Sequence, residues 1–96
     1  FHLGVEYSTT YLQLQSIPTI ITKIMSEIND VKLDRCHFCE FAGSSLNFEI
    51  VYYVTGGDYQ MYMDKQQQIY LSIFKEFETA KINFAFPTST VHLVKA

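Results

Sequence analysis

Tryptophan does not occur in this sequence, no segment is enriched in lysine and arginine, and no apolar run approaches the length of a membrane-spanning helix. A spanning helix needs roughly 20 consecutive apolar residues, whereas the longest uninterrupted run here is Ile50 to Val54. Nothing in the chain is therefore expected to cross a membrane. Lys and Arg number 7 against 10 Asp and Glu, a net charge of −3, so no basic stripe is offered to a phosphate backbone and nucleic acid is not expected as a partner. Two cysteines, Cys36 and Cys39, are compatible with a reducing compartment, and two alone decide little. No charged segment followed by an apolar stretch and a small-residue cleavage site opens the sequence. Instead the chain begins at Phe1 inside a strand-like alternation, which predicts an excised piece of something longer.

What is present is enough apolar material for one core. At 96 residues and 48% hydrophobic, the chain is one domain that buries roughly 60 to 70 per cent of its unfolded surface and can fold alone. Eight Phe and seven Tyr are numerous for so small a core.

Taken in order, Leu3, Val5 and Tyr7 alternate with His2, Gly4 and Glu6, the period of a half-buried strand. Ser8, Thr9 and Thr10 supply capping hydroxyls for a short first turn or two over Tyr11 to Gln15. Proline is tolerated in a first helical turn, so Pro18 predicts a main helix that begins there, capped near Ser16 or Ile17. Its stripe is Ile17, Ile20, Ile21, Ile24, Met25 and Ile28, at helical spacing, and Asn29 and Asp30 end it. Leu33 to Phe41 reads as a second strand with Cys36 and Phe38 on one face, followed by a turn at Gly43, Ser44 and Ser45. Leu46, Phe48, Ile50, Tyr52 and Val54 then give the longest strand pattern, predicted to be central. Gly56 and Gly57 break it, and Asp58 is positioned to cap a second helix running to about Ala80, with Tyr70, Ile73, Phe74 and Phe77 as its stripe. Ile82, Phe84 and Phe86 alternate as a fourth strand, which Pro87 ends because proline has no amide hydrogen for a ladder.

Strand, helix, strand, strand, helix, strand is the ferredoxin-like split βαβ order, an α+β fold with both helices on one face of an antiparallel sheet. Right-handed crossovers predict the strand order 4-1-3-2. Residues 1–87 would form this domain, and residues 88–96 a terminal tail strand in which Val91 and Leu93 alternate with no core left to enter. Met61, Tyr62, Met63, Ile69 and Leu71 add apolar surface beyond what one helix face needs. An exposed patch of that kind marks an interface, a wider local core being the bland alternative.

The remaining motifs carry little chemistry. Cys36, His37 and Cys39 have a CxxC spacing that binds zinc in other contexts, but residues three apart on a strand point to opposite faces unless the strand is bulged. Structural cysteines, with no metal and no cofactor, are expected. Gly56 and Gly57 precede a helix without a GxxxxGK[ST] or GxGxxG pattern, so they read as turn glycines. The acidic residues are scattered, and no pair is spaced for acid–base catalysis; no enzyme is expected. The third strand, SLNFEIVYYV, lacks the basic-glycine-aromatic pattern of RNA recognition motifs, and Tyr52 and Tyr53 read as strand residues facing opposite ways.

The segments FEIVYYV and KEFETAKINFAFPTSTVHL, with GVEYSTT, the IPTII helix and the HFCEFAGSSLNFE hairpin upstream, resemble the closing part of small-conductance mechanosensitive channels of the MscS family. Each segment alone is weak; their order and spacing together are fairly specific and cover nearly the whole chain. The resemblance implies a cytoplasmic domain on the inner face of a cell membrane, in which seven copies build a hollow vestibule below the pore for passing ions and small solutes. Terminal strands of the copies meet in a small barrel, to which Val91 and Leu93 would contribute. Subunit contacts are accordingly expected at Phe86, Pro87, Val91 and Leu93 and, from the surplus apolar surface, at Leu71 and Phe74. The pore helices and intervening β domain lie outside this stretch, so it is not expected to gate or conduct alone. The family commonly carries Gly before the Ile that opens the last strand, where this chain has Lys81. If the helix ends left-handed there, Lys costs on the order of 1 kcal/mol. The other function class weighed is a small regulatory module binding a metabolite between paired domains, a frequent use of this fold.

Overall fold

The computed structural model describes residues 1–85. In chain order they form β1 (His2–Val5), α1 (Tyr11–Ser26), β2 (Val31–Phe41), β3 (Leu46–Val54) and α2 (Tyr59–Ala80). The strands make one antiparallel sheet in the order β1-β3-β2, the α+β architecture expected of a ferredoxin-like chain. β3 is central because its alternation is the longest: Leu46, Phe48 and Ile50 are buried on one face. Register carries that face outward, pairing Leu3 and Val5 of β1 with Phe48 and Leu46, and Cys36 and Phe38 of β2 with Ile50 and Phe48. Ile17, Ile21, Ile24 and Met25 of α1 and Ile69, Ile73 and Phe77 of α2 join those strand residues in a single cluster, so both helices cover the same face.

α1 departs from expectation at its start. The helix does not begin at Pro18; it runs unbroken from Tyr11 with Pro18 inside. Thr10 explains the earlier start. Its hydroxyl accepts from the Gln13 amide at 3.2 Å, while the Gln13 side chain accepts from the Thr10 amide at 2.9 Å, a reciprocal capping box. Proline at the eighth helical position forgoes one ladder bond to the Leu14 carbonyl, and the apolar stripe on both sides holds the helix through it. The C-terminal end is also earlier, at Ser26 rather than Asn29 and Asp30, and β2 begins at Val31. Asp30 takes φ 64°, in the left-handed region, to make that turn.

α2 begins as predicted, with the Asp58 carboxylate accepting from the Met61 amide at 3.0 Å. Its buried row, however, is Ile69, Ile73 and Phe77, an i, i+4, i+8 line. Tyr70 and Phe74, one residue round from that row, stay 44% and 60% exposed. The helix closes on Lys81, at φ 61° and ψ 35°. The Lys81 amide donates to the Glu78 carbonyl at 3.2 Å and the Ile82 amide to the Phe77 carbonyl at 2.9 Å, the paired bonds of a Schellman ending, with Ile82 and Phe77 both buried behind it. Gln13 also donates to the Lys81 carbonyl at 3.1 Å, so one side chain joins the start of α1 to the end of α2.

Because Ile82 is still engaged in that ending, the expected fourth strand reaches the sheet late. Phe84 makes one antiparallel bridge to Val5, flanked by Glu6 N–H to Asn83 O at 3.1 Å and Ala85 N–H to Gly4 O at 3.0 Å. This is the outer edge of β1, where the order 4-1-3-2 would put a fourth strand, but among the described residues the contact is a single bridge, with no ladder from Ile82 to Ala85. Phe86 and Pro87, the boundary at residue 87, and the tail with Val91 and Leu93 lie outside the described residues.

Candidate interaction surface

Among the described residues, half of the large apolar side chains left exposed after the core is filled sit on α2. Its inward row packs on the sheet, and Tyr70, Leu71 and Phe74 project outward, Leu71 at 62% exposure. Aromatic contacts hold this face in place. Phe74 and Phe77 both stack on Phe84, with ring centroids 5.9 and 5.2 Å apart, and Tyr70 meets Phe1 edge-on at 5.2 Å. Between α2 and β1 these side chains border an open groove of about 390 Å³ lined by Phe1, Leu3, Tyr70, Ile73, Phe74 and Phe84, with His2 at its rim. Next to it Glu6 and Glu78 flank Phe74, giving the patch an acidic margin.

Further along the sheet, Tyr52 stacks on Tyr62 at 6.3 Å. Its hydroxyl is buried without a hydrogen-bond partner, and burial, reinforced by Tyr62, raises its pKa well above the ordinary value. A phenol so placed stays protonated at neutral pH and has no role as a base.

Leu71 and Phe74, the described members of the expected contact set, thus lie together on one exposed helix face. Tyr70, assigned to the core by its spacing, belongs with them. The line of Ile69, Ile73 and Phe77 at four-residue steps, continued by Ala80 three residues on, was the signal that separates it from the buried row.

The cysteines diverge in environment. Cys36 pairs with Ile50 and is half-buried, and burial pushes its thiol up to about 11. Cys39 is exposed at a register break between Phe38 and Glu40, so β2 does carry a bulge there. Among the described residues no group of three or more His, Cys, Asp or Glu could hold a metal ion. Gly56 and Gly57 take φ 69° and 82° in the turn before α2, the left-handed values that glycine supplies. Among the described residues, no helix is long and apolar enough to cross a membrane.

Residues 1–84 match the family model described as "Mechanosensitive ion channel MscS, C-terminal". The chain is 34% identical over 96 residues to the large-conductance mechanosensitive channel MscMJLR of Methanocaldococcus jannaschii, a match spanning 95% of the chain and 27% of that protein. It is 35% identical over 95 residues to the small-conductance mechanosensitive channel MscMJ of the same organism, across 97% of the chain and 27% of the relative. An uncharacterized MscS family protein of Aquifex aeolicus is 35% identical over 98 residues, across 99% of the chain and again 27% of the relative. The chain therefore spans about a quarter of the length of these relatives.

Proposed function

Since the chain belongs to the MscS family of mechanosensitive ion channels, as its C-terminal domain, we propose that it is a non-enzymatic vestibule and assembly domain of a tension-gated channel. It would act on the cytoplasmic face of the membrane in a ring of seven copies, admitting ions and small solutes to a pore built by other parts of the protein. The observation that carries this reading is the α2 face of Tyr70, Leu71 and Phe74, apolar and exposed although the core beneath it is complete without them. Burying such a face stabilises a complex by about 25 cal/mol per Å² of apolar surface, before the costs of association. Leu71 and Phe74 are assigned to subunit contacts. So is the segment after Pro87, through Val91 and Leu93, with Phe86 and Pro87 at its root.

The alternative, a metabolite-binding regulatory module, calls for a pocket in which polar groups converge. The groove beside β1 is open, and apart from His2 and the Tyr70 hydroxyl its lining side chains are apolar.

Truncation after Pro87 tests the assembly role. The shortened chain is expected to melt cooperatively and to sediment as a smaller species than the 96-residue chain; loss of cooperative unfolding, or an unchanged mass, contradicts it. Patch-clamp recording on membranes containing a longer protein that carries this chain is expected to show pressure-activated currents. Silence from a protein shown to be at the membrane would count against the channel reading.

A further inference from the structure

A second apolar patch lies on the opposite edge of the domain. The strand order puts β1 at one margin of the sheet and β2 at the other. The α2 face, beside β1 and Phe84, occupies the first margin. At the second, Tyr11 of α1 and Phe38 and Phe41 of β2 are 74%, 39% and 76% exposed. Phe38 stacks on the buried Phe48 at 5.2 Å and meets Phe41 edge-on at 5.0 Å, so the patch is anchored to the core. Between α1 and β2 a groove of about 350 Å³ opens, lined by Tyr11, Leu14, Gln15, Pro18, Phe38 and Phe48.

Resting on the assembly reading above, we infer that these two margins are the two halves of one contact: the α2 face of one copy seats against the α1–β2 margin of the next. Area favours a second copy as occupant. With large side chains burying roughly 200 Å² each, their exposed fractions give about 300 Å² for Tyr70, Leu71 and Phe74 and about 400 Å² for Tyr11, Phe38 and Phe41. Together that is roughly 700 Å², against roughly 900 Å² of apolar area in a standard interface of about 1,600 Å². Symmetry chooses the pairing. A two-fold dimer through either patch alone leaves the other exposed, whereas a head-to-tail contact between unlike patches repeats around a closed ring and covers both on every copy.

The edge of β2 itself is not the contact. Its register breaks at Leu33/Arg35 and Phe38/Glu40, and Lys32, Asp34, Arg35 and Glu40 line it. Bulges and charges are the features that keep a sheet edge from pairing with another strand. Contact through side chains at the α1–β2 groove avoids that edge.

The test uses two single-cysteine proteins in a Cys36→Val/Cys39→Ser background, one carrying Phe74→Cys and the other Phe41→Cys, each checked for native circular dichroism. Mixed and treated with a short bismaleimide, the two are expected to cross-link to each other at least about tenfold faster than either does to itself, because contact raises the local concentration of the partner thiol. A chain carrying both cysteines is expected to give a ladder of oligomers. Faster self-cross-linking of either single variant, the mark of two-fold contacts, overturns the pairing. So does the absence of mixed product. Native mass spectrometry of the same samples separates the two levels: a closed ring without the mixed cross-link sinks only the edge-to-edge pairing, and a monomer sinks the assembly reading itself.

Discussion

Replacing Lys81 by glycine is expected to stabilise the domain. Lys81 sits at φ 61° and ψ 35° at the end of α2, a conformation that costs an L-residue with a Cβ about 1 to 2 kcal/mol and costs glycine nothing. Against this gain stand two losses. Glycine gives the unfolded chain more freedom, worth about 0.4 to 1 kcal/mol, and removal of a lysine from a helix C-terminus forfeits a favourable dipole interaction of a few tenths. The Lys81 side chain is exposed, and the two Schellman bonds are made by backbone atoms, so no packing is lost. Lys81→Ala forfeits the same charge but keeps the strain, which makes the Gly–Ala difference the cleaner quantity. Glycine should exceed alanine by about 1 kcal/mol, or roughly 4 to 8 °C in Tm for a domain of this size. Urea titration followed by circular dichroism gives the free energies and a thermal scan the Tm. If the alanine and glycine variants are equally stable, the left-handed ending is not populated in solution and the argument fails.

Gly57→Ala should destabilise by more than Gly56→Ala. Both positions have positive φ, but only at Gly57 would a Cβ run into the Met61 side chain; differences of less than about 0.5 kcal/mol between the two in urea melts would refute this. The Cys36 thiol, raised by burial from 9.0 to about 11, favours the folded state fully below about pH 9. That contribution disappears as pH climbs to about 11, since the unfolded chain releases its proton first. Cys36→Ala should flatten the fall in stability over that window without abolishing it, because the buried Tyr52 hydroxyl is raised as well. An unchanged slope in the alanine variant would contradict the burial of the thiol.

Much of the fold was legible because strand and helix periods differ. The alternation from Leu46 to Val54 identified the central strand, and Asp58 the start of α2, since each signal is local and the core agrees with it. Pro18 misled because proline reads as a helix start, and the competing start signal, Thr10 with Gln13 three residues on, is just as local. The helix followed the capping box. The stripe of α2 was misassigned by one residue because Ile69, Tyr70, Ile73, Phe74 and Phe77 are all large and apolar. Composition alone does not choose between two adjacent rows, and contact with β1 and Phe84 does. For the candidate surface, the excess of apolar residues on α2 was visible in the sequence. The Tyr11, Phe38 and Phe41 margin was not. Those residues belong to different elements, and only the order β1-β3-β2 together with the packing of α1 against β2 brings them to one edge.

The claim that the outer face of α2 joins copies of this chain is tested most directly by placing charge on it. Leu71→Glu with Phe74→Glu changes two side chains that are 62% and 60% exposed, so circular dichroism and cooperative unfolding should be kept, apart from the stacking of Phe74 on Phe84. Sedimentation velocity on the wild-type and doubly substituted chains then reads assembly alone. The account predicts an oligomer for the first and a folded species of lower mass for the second. Equal masses for the two proteins would contradict it.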